Sequence, residues 1–131
     1  MTALLGILIS TVGERIRYVP SIFLPERKDV RYIVSWQNFD QPLPPELKDS
    51  FDRGDVELCT TSGKGLSRNR NNALRHCHTQ FALIADDDVS YTEQQIDNLL
   101  SLIADHPQID VFCCRVEGQD GEFLKSYFPT I

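Results

Sequence analysis

No stretch of this sequence is long and apolar enough to span a membrane, and no basic residue precedes the short apolar run of MTALLGILIS, which Glu14 soon follows. The first absence excludes a transmembrane helix. The second argues against a secretory leader, so the expected compartment is the cytoplasm. No C-x-x-C pair occurs among Cys59, Cys77, Cys113 and Cys114. Reduced thiols are expected, with Cys113 and Cys114 buried in an apolar, strand-like run. Histidine is scarce, and His76 and His78 stand two apart at a helix end, a spacing that does not share a face and so disfavours zinc. His106, before Pro107, reads as a helix C-terminal residue, where positive charge is favoured. Bases are outnumbered, 13 against 19 acids for a net charge of −6, which argues against broad nucleic-acid binding. There is no internal repeat and no Ser-His-Asp or Cys-His arrangement for nucleophilic catalysis.

What remains is a globular composition, 41% hydrophobic and 24% charged over 131 residues, which predicts one domain over residues 1–131. Five continuously apolar runs read as strands: ALLGILIS, DVRYIVSWQ, DVELCTT, FALIAD and IDVFCCRV. Helical patterns lie between them at 14–24, around 44–52, at 65–77 and at 92–105. In the last, Thr92 and Gln95 fit a capping box, Tyr91 and Ile96 a hydrophobic staple, and Ile96, Leu99, Leu100 and Ile103 an apolar face that Pro107 ends. The three prolines of NFDQPLPPE mark a loop. Alternation of buried strands with helices predicts an α/β fold, a mainly parallel sheet with helices on both faces, whose ligands bind at the carboxyl ends of the strands.

At one such end FALIAD runs into Asp86, Asp87 and Asp88. Ionised carboxylates roughly 6 Å apart at an effective dielectric near 20 repel by about 3 kcal/mol per pair. A cation, a neighbouring base or solvent must offset that. In extended backbone Asp86 and Asp88 project to one side, where both can reach a hard divalent cation, Mn²⁺ or Mg²⁺, that takes one or two carboxylates and completes its shell with phosphate oxygens. The competing reading is a solvated acidic turn. A second element, GKGLSRNRNNAL, gathers Lys64, Arg68 and Arg70 where glycine-rich backbone enters a helix, an arrangement that favours an anion. It is also what a solvated basic helix face looks like. It is not a Walker A loop, because Leu58 and Gly65 stand where that motif needs Gly and Ser or Thr.

GLSRNRNNAL followed by FALIADDDV resembles the donor-binding half of glycosyltransferase family 2, inverting enzymes of the Rossmann-like GT-A fold that transfer sugars from nucleotide diphosphates. Arg70 and Asn71 match that family's Arg-Asn pair, Asp86 and Asp88 its D-x-D, and GILISTVGE its first strand and turn, with Thr11 in register. The resemblance runs from about residue 3 to 118. It implies a metal held directly by Asp88, with Asp86 helping to hold the metal or the ribose. Asp87 is then a ribose contact, Thr11, Glu14 and Gln37 border the base and ribose, and Lys64 and Arg70 lie near the donor. The expected ligand is a nucleotide-diphosphate sugar, and the expected acceptor a saccharide or lipid-linked saccharide.

Two departures qualify it. Relatives commonly carry a base-reading Asp after the second strand, where this chain has Ser35, Trp36, Gln37 and Asn38. Gln37 or Asn38 can bond a base edge, while Trp36 stacks on a base or, as the favoured reading, fills the core. The chain also ends where the family continues into an acceptor-binding half, so the expectation is a truncated domain without an identified catalytic base; the late acids Asp120 and Glu122 sit in a turn signal. Three functions are therefore weighed: a metal-dependent inverting glycosyltransferase domain, a non-catalytic nucleotide-sugar module or subunit needing a partner, and an α/β interaction domain whose acids bind no metal. Without the acceptor half, an uncovered sheet edge invites homo-oligomerisation.

Overall fold

A computed structural model describes residues 3–118 of the chain. Contacts gather into two compact units, Met1–Glu93 and Gln94–Ile131. The first holds four strands, β1 Leu5–Val12, β2 Val30–Gln37, β3 Val56–Thr61 and β4 Phe81–Asp86, paired in parallel in the order β3-β2-β1-β4. The most continuously apolar runs take the centre: nearly every residue of β1 and β2 is buried, whereas β3 and β4 at the edges are half open.

Between the strands run a 3₁₀ helix Gly13–Ile22, a 3₁₀ turn Pro45–Leu47 leading into α1 Lys48–Phe51, and α2 Leu66–Arg75. Strand alternation sends Ile33, Ser35 and Gln37 to one face and Tyr32, Val34 and Trp36 to the other. On the first face Ile33, Leu8 and Cys59 meet Ala73 of α2. On the second, Phe23 packs between Tyr32 and Phe51 with ring centroids 4.9 and 5.7 Å apart. The parallel sheet is thus covered on both faces, as expected, and Trp36 is a core residue, 2% exposed.

The second unit contains all of α3, Glu93–Asp105, but its first residue; the helix buries Ile96 and Ile103 and half-buries Leu99 and Leu100, the face that its spacing predicts. The expected fifth strand is a correction. Residues 109–116 form no ladder among the described residues, with only an isolated bridge at Glu117. An apolar run becomes a strand only when a neighbour offers its own unpaired N–H and C=O groups. For the same reason Cys113 and Cys114, expected to be buried, are exposed; Cys59 is the buried thiol, and burial raises its pKa. Asp120 and Glu122 lie outside the described residues. Among those described, no helix is long and apolar enough to cross a membrane.

Candidate functional site

The strand order reverses direction beside β1: the chain steps from β1 to β2 to β3, then returns to place β4 on the other side of β1. At such a switch point the loops leave in opposite directions and open a crevice at the carboxyl ends of the strands. β1 and β4 are in register there, Ser10 opposite Asp86, and the three consecutive acids sit at its rim.

The extended backbone ends at Asp86, and Asp87 and Asp88 form a turn, so simple alternation stops one residue into the triplet. Each acid consequently has different surroundings. Asp86 accepts from Arg70 Nη2 at 2.9 Å. Asp87 turns toward β1, where Arg15 grips it with two bonds, Nε to Oδ2 at 2.8 Å and Nη2 to Oδ1 at 2.6 Å, and the buried Thr11 hydroxyl donates to it at 2.9 Å. Asp88 is exposed and makes no hydrogen bond or ion pair among the described residues. Two arginines thus take up the charge of two acids, and one acid is left over. The Arg15 guanidinium is pushed above its ordinary pKa by its bonds to Asp87, the charge of Asp87 and, more weakly, that of Asp88.

Beside Asp86 two buried polar atoms have no partner among the described residues, Ser10 Oγ and Arg70 Nε. Buried polar groups are almost always satisfied, so two orphans beside one carboxylate leave hydrogen-bonding capacity that a polar ligand could meet. Hard oxygen donors, one of them unengaged, suit Mn²⁺ or Mg²⁺. No group of three acidic, His or Cys side chains converges to cage an ion among the described residues, so a cation there would complete its shell from water and a bound phosphate.

The second wall is α2. Its N-terminus follows Gly65, held at φ 102° where only glycine is comfortable, and no side chain caps it. Within the helix Asn69 is fully buried. It accepts from the Ser35 hydroxyl at 2.6 Å and donates to the Thr11 carbonyl at 3.0 Å, tying α2 to the tips of β1 and β2. Asn72 adds a bond to Ser35 at 2.9 Å. Gln37 is 3% exposed, and its amide donates to the carbonyls of Gly63 and Gly65 at 2.7 and 3.0 Å, bracing the loop before α2. Thr11 is therefore bonded to Asp87 and Arg70 to Asp86, two pairs side by side at consecutive acids, with Asp88 next in the chain. Glu14, Lys64 and Asn71 stand exposed at the periphery.

Sequence reasoning missed Arg15, Ser10 and Asn69. For Asn69 a signal existed: three asparagines in ten helical residues, a poor helix former that persists where its side chain is used. His76 Nδ1 donates to the Asn72 carbonyl at 2.8 Å. It lines a cavity of about 450 Å³ at the opposite end of the sheet, whose arginines are tied to neighbouring acids, Arg27 to Asp29 and Arg31 to Glu57.

In fold the chain is similar to a crystal structure of S. aureus TarS, residues 1–349, in complex with UDP-GlcNAc, with a TM-score of 0.61 and 16% identity over 79% of this chain. The match covers 32% of that chain, so the present sequence spans about a third of its length. No curated protein matches. The family model for Glycosyl transferase family 2 matches residues 43–129, more than half of the chain, including both the Arg70 helix and the acidic triplet but not β1. The chain belongs to glycosyltransferase family 2.

Proposed function

We propose that the chain is the donor-binding part of a metal-dependent, inverting glycosyltransferase that uses a nucleotide-diphosphate sugar. The observation that carries this reading is the unequal pairing of the triplet among the described residues: Asp88 without a partner, and Asp86 flanked by the orphaned Ser10 Oγ and Arg70 Nε, at the switch point of a parallel sheet. Asp88 and the free oxygen of Asp86 would hold Mn²⁺ or Mg²⁺. Bound there, the ion would neutralise charge on the departing nucleoside diphosphate.

The chain's own residues supply the rest. Arg70 and Lys64, with the uncapped N-terminus of α2, present positive charge to the diphosphate. Asp87, clamped by Arg15 and Thr11, retains lone pairs for a ribose hydroxyl. Thr11 and Glu14 border the ribose, and Gln37 acts through the loop it braces. In the inverting reaction the acceptor oxygen bonds to the anomeric carbon as the bond to the diphosphate oxygen breaks, and the acceptor proton passes to a general base supplied from outside the described residues. The UDP-GlcNAc of the TarS complex makes a uridine donor the first to try.

Calorimetric titration with UDP and GDP, with and without Mn²⁺, tests the reading. Mn²⁺ should promote nucleotide binding, and Asp88→Asn should weaken it by about tenfold or more. Equal binding with and without the ion, or by the variant, removes the metal from the site and leaves the reading of a metal-free nucleotide module.

A further inference from the structure

The turn that leaves β2 places two side chains in a backbone conformation they rarely adopt. Phe39 has φ 50° and Asp40 φ 62°, in the left-handed region that favours glycine and asparagine. The turn is closed by the Gln41 amide donating to the Asn38 carbonyl at 2.9 Å. The Asn38 side chain donates to the Gln41 carbonyl at 3.1 Å and accepts from the Asp40 amide at 3.3 Å. A bulky aromatic there costs stability, and packing does not compensate, because Phe39 is 53% exposed.

Its ring leans over the turn after β1: Cε2 lies 3.8 Å from where a Cβ on Gly13 would stand. The Gly13 carbonyl is itself fixed by the buried Trp36 indole N–H at 2.8 Å. Every earlier side chain in the segment is engaged inside the protein, Ser35 with Asn69, Trp36 with Gly13, Gln37 with the loop before α2 and Asn38 with its own turn. Phe39 is the first that faces solvent. β1 separates β2 from β4, so at about 4.8 Å per strand their tips lie about 10 Å apart sideways, with Phe39 four residues beyond Ser35, the position level with Asp86. A ribose with its full diphosphate, the ligand of the reading above, is the group that would link the two.

We propose that Phe39 is the platform on which the donor's nucleobase stacks. The inference rests on the nucleotide-sugar reading above and deepens it. A phenyl ring offers a face and no hydrogen-bonding group, so it recognises a flat ring and discriminates little among bases.

The test compares the full chain with Phe39→Asn, which suits the left-handed backbone while removing the ring, and Phe39→Trp, which keeps an aromatic face. Each is titrated, with Mn²⁺ present, with UDP, GDP and inorganic pyrophosphate. Phe39→Asn should bind UDP and GDP about tenfold more weakly, bind pyrophosphate as the parent chain does, and melt at or above the parent temperature; Phe39→Trp should retain nucleotide affinity. Unchanged UDP affinity in Phe39→Asn overturns the proposal, as does an equal loss for pyrophosphate, which would make the ring merely structural. If the parent chain binds pyrophosphate as tightly as UDP and GDP, the stacking falls and the diphosphate site stands; if it binds none of the three, both fall.

Discussion

Arg15 and Arg70 reach the acidic triplet from opposite faces of the sheet, one through a bidentate grip on Asp87 and the other through a single bond to Asp86. They answer the repulsion problem before any metal arrives, and they give substitutions at Arg70 an unusual pair of signs. Arg70→Gln removes the cation beside Asp86, so bare Mn²⁺ should bind a few-fold more tightly. The same change removes a charge-assisted contact to the diphosphate, so UDP with Mn²⁺ should bind about tenfold more weakly. Calorimetry with and without nucleotide reads both, and a loss in both would make Arg70 a scaffold residue. Asp86 and Arg70 were legible in the sequence because each sits next to its own marker, a strand end and a glycine-rich helix start. Arg15 was not, since its partner is 72 residues away and a lone arginine in an amphipathic segment looks like solvated charge.

Among the elements, α2 does most to align the site, and Asn69 is its buried fastening. Asn69→Ala removes a buried bond to the Thr11 carbonyl and takes one partner from the Ser35 hydroxyl. The expected cost is about 3 kcal/mol in urea unfolding. Asn69→Asp should cost a similar amount despite its matching shape, since a carboxylate cannot donate to Thr11. The strands were legible as apolar runs, though β1 reaches Val12, two residues beyond the expected end. There Thr11 and Val12 continue the ladder with β2 through backbone groups that side-chain hydropathy does not register. The run at 109–116 failed in the opposite way, apolar in sequence yet without a ladder partner among the described residues. Pairing belongs to two segments, and a single segment does not disclose it.

For the whole chain the decisive feature is the order β3-β2-β1-β4. Alternating strands and helices announced a parallel sheet, but strand order is set by which neighbours bury each other best, and that alone fixes where the crevice opens. Because the chain spans about a third of the TarS chain that shares its fold, binding and turnover should separate. The isolated chain with Mn²⁺ and a uridine-diphosphate sugar is expected to bind donor while releasing little UDP over hours; sustained multiple turnover would show that no further half is needed.

The chain carries a single tryptophan, Trp36, buried at the tip of β2 with its indole N–H on the Gly13 carbonyl. All indole emission therefore originates at one point beneath the rim of the crevice. A ligand that shifts the Gly13 turn should change its intensity or wavelength, so the native protein carries its own optical gauge of occupancy, with no dye or label attached.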